Sequence, residues 1–83
     1  MKVNVRYFAS IREALGSGET VEAGEAATVG YVRDALLSID AAHAEALSRR
    51  RALRCALNQV LCDEGAVVQD GAEVAFFPPV TGG

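Results

Sequence analysis

A chain of 83 residues and 8.7 kDa holds one domain and leaves no room for a second. Val, Leu, Ile and Phe supply 22 residues, just over a quarter of the chain, which excludes a disordered polymer, although alanine swells the 51% apolar fraction. A pocket enclosing a substrate takes roughly 300–1,000 Å³ walled by several elements, so this size favours a binding or carrier module over a self-sufficient enzyme.

In chain order, Lys2 to Phe8 alternates Val3, Val5 and Tyr7 with Lys2, Asn4 and Arg6. That period of two predicts a half-buried strand. Ser10 to Gly16 carries helix formers closed by a glycine and predicts a short helical turn. After the Gly16-Ser17-Gly18 turn, Glu19 to Ala23 reads as a return strand pairing with the first. Thr28 is a suitable N-cap, and Val29, Val32, Leu36 and Ile39 form one apolar stripe, predicting a helix over 29–39 closed by Asp40. Residues 41–51 offer Leu47 as their one sizeable apolar side chain and predict a second, marginal helix. Leu53, Cys55 and Leu57 alternate with Arg54, Ala56 and Asn58 as a strand, interrupted at Asn58-Gln59 before Val60, Leu61 and Cys62. Asp63-Glu64-Gly65 and Gln69-Asp70-Gly71 are turn signals flanking the short apolar segment Ala66 to Val68. Glu73 to Phe77 is a final strand, stopped by Pro78-Pro79 because neither proline can donate to a ladder. The order β-β-α-(α)-β-β-β predicts an α+β fold of the β-grasp kind, a mixed sheet with one main helix packed on one face.

Charge is uneven along the chain. The net charge is −3, yet all eight basic residues lie between Lys2 and Arg54, and the C-terminal third carries only Asp63, Glu64, Asp70 and Glu73. A phosphate backbone would be repelled there, so no nucleic acid is expected as a partner. No apolar run approaches the ~18–20 residues of a membrane span, and the alternating N-terminus lacks the apolar stretch of a signal peptide. These features predict a cytoplasmic chain that does not engage a membrane. Two cysteines, Cys55 and Cys62, are too few for a secreted disulfide framework and read as reduced thiols, Cys55 in the core and Cys62 with a redox role as the lesser reading.

The interior presents no catalytic constellation. His43 is the only histidine and has no ligand-spaced partner, so it is read as an exposed helix residue. The seven-residue spacing of the cysteines matches no zinc knuckle, and no metal is expected. Arg49-Arg50-Arg51 reads as a solvated basic run, with a contact to an acidic partner as the other reading. Asp63-Glu64 sits in a turn with nothing apolar to raise a carboxyl pKa.

The C-terminal segment Phe76-Phe77-Pro78-Pro79-Val80-Thr81-Gly82-Gly83 is the unusual feature. Neighbours on a strand point to opposite sides, so one of the two phenylalanines faces outward and offers a partner surface. The prolines stiffen the exit, and Gly82-Gly83, without side chains, suits threading into a narrow slot. The chain thus divides into a β-grasp domain over 1–78 and a flexible Gly-Gly tail over 79–83.

The segment Glu73 to Gly83 resembles the C-terminus of the MoaD family, the small sulfur-carrier subunits of molybdopterin synthase. Val5-Arg6-Tyr7-Phe8-Ala9-Ser10-Ile11-Arg12-Glu13-Ala14-Leu15-Gly16 resembles that family's first strand and helix, and Thr28-Val29 and Ala56-Leu57-Asn58-Gln59 fit its middle. Ala72 departs from the acidic residue usual in its final turn, and residues 38–54 share little with the family. The resemblance implies a ubiquitin-like β-grasp and a carrier that stably binds no cofactor. A MoeB-type enzyme using ATP and magnesium would adenylate the Gly83 carboxylate, a sulfur donor would convert it to a thiocarboxylate, and the carrier would dock on a MoaE-type large subunit. Gly82 and Gly83 are then the reacting terminus, and Phe8, Arg12, Leu61, Phe77, Pro78, Pro79, Val80 and Thr81 the partner-binding candidates, with Leu61 alternatively a core residue. A sulfur carrier for another pathway, a ubiquitin-like tag and a plain interaction module remain the competing readings.

Overall fold

The computed structural model describes residues 1–79. Three of its strands follow the alternation of their sequences: β1 (Lys2–Tyr7), β2 (Gly18–Glu22) and β3 (Arg54–Leu57). Two more, β4 (Val60–Cys62) and β5 (Glu73–Phe77), complete a five-stranded sheet of order β2-β1-β5-β3-β4. β1 and β5 pair in parallel and every other neighbouring pair is antiparallel. The helices α1 (Ala9–Leu15), α2 (Val29–Leu37) and α3 (Ala41–Ala46) pack against one face. This is the mixed-sheet β-grasp that the element order predicts.

The core lies between that face and the helices. Val3, Val5 and Tyr7 of β1, Cys55 of β3, and Val74 and Phe76 of β5 meet Ile11 of α1, Val29, Val32 and Leu36 of α2, and Ala46 with Leu47 at the end of α3. Thr28 caps α2, its Oγ1 accepting from Tyr31 N at 3.1 Å. Two further amides of the first turn donate to the 63–66 turn, Val29 N to Ala66 O and Gly30 N to Glu64 O. That docking uses Ala66–Val68 as a tie to the helix start, through a bridge between Thr28 and Val67, and explains why the segment joins no strand. Gly18 is required by close approach, since a Cβ there would run into the Val5 carbonyl. Asn58 and Gln59 both adopt positive φ (50° and 68°), forming the two-residue turn that joins β3 to β4.

Two expectations are corrected by tertiary structure. α2 ends at Leu37 rather than Ile39, and Ile39 is 49% exposed. The apolar period runs past the helix because Asp40, extended at φ −162°, caps α3 by accepting from His43 N instead of closing α2. His43 is not exposed but buried. Its Nδ1 lies 2.7 Å from Asp40 Oδ1 and its Nε2 2.7 Å from Glu19 Oε2, which also accepts from the Tyr7 hydroxyl at 2.7 Å. The basic run 49–51 is exposed, as its sequence suggests, and makes surface ion pairs, Arg49 with Asp34 and Glu64, and Arg51 with Glu45.

The His43 contacts carry a pH dependence of known sign. Burial alone pushes the imidazole pKa down, but its hydrogen bonds to Glu19 and Asp40 together outweigh it, and the net shift is upward. A raised folded value means the protonated clamp stabilises fully below the ordinary histidine range and is lost as pH rises through the shifted value. Thermal unfolding followed upward from pH 6 should show a falling Tm, at about 4–8 °C for each kcal/mol lost in a domain this size. In His43→Gln that slope should flatten.

Candidate functional site

Among the described residues, the helices leave the second face of the sheet bare. Strand alternation puts the outward residues there: Arg6 on β1 with Phe8 just beyond it, Ala75 and Phe77 on β5, Arg54 and Ala56 on β3, and Leu61 on β4. Register brings them side by side. Tyr7 pairs with Phe76, which sets Phe8 beside Phe77; Phe77 pairs with Arg54; and Ala56 pairs with both Ala75 and Leu61. Ala56 and Ala75 are covered by these larger neighbours yet belong to no part of the helix-side core.

The sequence candidates therefore converge from three separate segments. Phe8 is 39% exposed and Leu61 62% exposed, so Leu61 is a surface residue and not a core one. Phe76 faces the core while Phe77 is half-buried on the bare face. Pro78 is half-buried and Pro79 exposed where the chain leaves β5. Arg12 is exposed on α1 one turn past Phe8, its amide donating to the Phe8 carbonyl at 3.3 Å. Val80, Thr81, Gly82 and Gly83 lie outside the described residues. Phe8 owes its place to a sharp exit from β1, where Phe8 is extended and Ala9 turns to φ 54°.

The rim of this apolar patch is cationic. The Arg6 guanidinium lies 5.7 Å from the Phe8 ring centroid and 3.7 Å from Glu73, and Arg54 stands opposite Phe77. Stacking over the ring suits a planar guanidinium and presents a flat, charged border.

Beneath, the polar groups hold the scaffold rather than offer reactivity. Arg33, 3% exposed, donates from Nε to Leu47 O at 2.9 Å, from Nη2 to Ser48 O at 2.6 Å and Arg51 O at 3.2 Å, and from Nη1 to Glu64 at 2.8 Å. Partial burial raises the Glu64 pKa, but hydrogen bonds from Arg49 and then Arg33 prevail and hold it below the usual carboxylate range. Asp40 is likewise lowered, by its hydrogen bonds with the backbone and ring of His43. A carboxylate held ionised is no general acid at neutral pH. Among the described residues, no group of three or more His, Cys, Asp or Glu is placed to hold a metal, and no helix is long and apolar enough to cross a membrane.

Sequence reasoning overlooked Arg33 and Glu19. Both carried a signal: Arg33 falls on the Val29–Val32–Leu36 face of α2, and Glu19, opposite Val5, shares the inward side of β2 with Val21, opposite Val3. A charge inside an apolar period marks a buried partner. His43 offered no such pattern.

A β-grasp sheet with one face left bare, apolar at its centre and continuous with the exit of its last strand, defines a ubiquitin-like protein. The chain belongs to the ThiS family, whose sequence profile matches residues 5–83, and within it to the molybdopterin synthase sulfur carrier group resembled by its sequence. It is 40% identical over 81 residues to the molybdopterin synthase sulfur carrier subunit of Escherichia coli, covering 98% of this chain and 99% of that one. Among solved structures it is similar to small archaeal modifier protein 1 of Haloferax volcanii, at 30% identity and a TM-score of 0.77 over 95% of this chain and 98% of that one. It is also similar to a chain in the complex of subunits 1 and 2 of molybdopterin-converting factor from Helicobacter pylori, at 27% identity and a TM-score of 0.70 over the whole of both chains.

Proposed function

We propose that this chain is the sulfur carrier subunit of molybdopterin synthase, acting in the cytoplasm. The observation that carries the reading is the convergence of Phe8, Phe77 and Leu61 on the bare sheet face where the chain runs out through Pro78-Pro79. Such a surface grips a partner and directs the C-terminus toward it.

The chemistry needs partners. A carboxylate is a poor electrophile, and joining Gly83 to AMP creates a mixed anhydride with a good leaving group. A MoeB-type enzyme supplies ATP and magnesium for that step, releasing pyrophosphate. A sulfur donor then displaces AMP and leaves a thiocarboxylate, which is anionic at neutral pH and a stronger nucleophile than the carboxylate. Docked on a MoaE-type large subunit, the carrier hands its sulfur to the cyclic pyranopterin precursor, and two such transfers build the dithiolene. The likeness to an archaeal modifier protein keeps a second reading in play, attachment of Gly83 to lysines of other proteins.

Intact mass after incubation with ATP, the activating enzyme and a sulfur donor tests the carrier step. The expected result is one oxygen exchanged for sulfur, mapped to Gly83. An unchanged mass beside an active control enzyme overturns it, and isopeptide-linked ladders would favour the modifier. For docking, Leu61→Arg should weaken the Kd for the large subunit by about 30-fold, as loss of a hot spot worth about 2 kcal/mol does. Because Leu61 is exposed, the Tm should hold; calorimetric titration checks both.

A further inference from the structure

Cys55 and Cys62 stand directly opposite each other on β3 and β4, and the carrier chemistry uses neither. Both are free thiols, with their sulfurs 3.8 Å apart. Residues facing each other across an antiparallel pair have Cα atoms about 4.5–5.5 Å apart, inside the roughly 4.4–6.8 Å that a disulfide spans. Closing the remaining gap between the sulfurs takes side-chain rotation and no change of register. The Leu57–Val60 and Ala56–Leu61 pairs hold that register beside them.

Access is one-sided. Cys55 is buried and Cys62 half-buried. Val60, on the same side of β4 as Cys62, is 68% exposed, so the helices stop short of this edge of the sheet. Leu61, between them, points to the other face. A partner seated on the bare face therefore leaves Cys62 reachable from behind.

We propose that Cys55 and Cys62 are an oxidisable dithiol, a modification site for hydroperoxides that closes to a cross-strand disulfide. The Cys62 thiolate attacks one peroxide oxygen, the O–O bond breaks, hydroxide leaves, and Cys62 becomes a sulfenic acid. The Cys55 sulfur then attacks the Cys62 sulfur. The S–S bond forms as the S–O bond breaks, and the Cys55 thiol proton leaves with the hydroxide as water. Two thiols give up two electrons and one hydrogen peroxide becomes two waters. Burial first, and the hydrogen bond with Cys62 second, push the Cys55 thiol up to about 12, and it donates to the Cys62 carbonyl at 3.3 Å. Cys62 is thus the peroxide-reactive sulfur and Cys55 the resolving one. Closure ties the three-residue edge strand to β3 and restricts Leu61 on its far side.

The test is thiol chemistry on the full chain, independent of sulfur transfer. Reduced protein is treated with hydrogen peroxide, alkylated with N-ethylmaleimide in denaturant and read by intact mass and peptide mapping. The expected product has lost two hydrogens, takes up no maleimide, yields a linked Cys55–Cys62 peptide and regains two reactive thiols with dithiothreitol. Cys55→Ser should instead collect oxygen on Cys62. Wild-type protein that collects oxygen on Cys62 without the link, joins only between molecules, or keeps both thiols while a control peptide thiol is oxidised overturns the proposal.

Discussion

A chain lacking Gly83 should form no thiocarboxylate and transfer no sulfur, with thermal unfolding indistinguishable from that of the intact chain. The two halves of that result have separate causes. Among the described residues the buried core is made by side chains between Val3 and Phe76, so the fold is expected to stand without Gly83. The proposed chemistry requires a carboxylate at the correct distance from the proposed docking face, on a glycine that can enter a slot closed to any side chain. Shortening the tail withdraws the reacting atom by one residue, about 3.3–3.6 Å, and a misplacement of even 1 Å costs about 100-fold in a positioned reaction. Gly83→Ala, which restores length but adds a methyl, should recover part of the activity if length dominates and none if the slot does. Activity retained by the deletion would leave an interaction module with an incidental Gly-Gly.

Replacing Arg33 should be the most damaging single substitution in the scaffold. Its guanidinium joins three carbonyls of the segment after α3 to Glu64 in the turn after β4. Arg33→Met keeps much of the volume and removes every one of those donors. Leaving three carbonyls without their donor and Glu64 held by Arg49 alone costs about 3–5 kcal/mol, against a total of about 4–12 kcal/mol at the usual stability per residue for this length. The Tm should fall by more than about 12 °C. Arg33→Lys should recover only part of the loss, because an ammonium cannot span four acceptors in a planar fork. Thermal and urea unfolding of the three chains decide it: equal stability for wild type and Arg33→Met would show the network to be dispensable. The Phe8–Leu61 face should bind the large subunit normally in any fraction that remains folded.

Local periods are what the sequence by itself determined. The alternation of Val3, Val5 and Tyr7 placed β1, the Thr28 cap and the Val29–Val32–Leu36 stripe placed α2, and the prolines ended β5. The tail motif and the aromatic residues pointed to docking at Phe8 and Phe77, because alternation alone obliges one of two adjacent strand phenylalanines to face outward. The same local rule extended α2 to Ile39, since a period in sequence carries no information about where the neighbouring cap will cut it.

Tertiary structure alone decided what meets across distance. The parallel pairing of β1 with β5 joins the two ends of the fold and sets Phe8 beside Phe77, and the β3–β4 turn then places Leu61 on the same face and Cys62 opposite Cys55. Arg33 and His43 were drawn inside for one physical reason. The carbonyls around Arg33 and the Glu19 carboxylate beside His43 come from other elements, and they are brought within hydrogen-bond reach only when the helices close on the sheet.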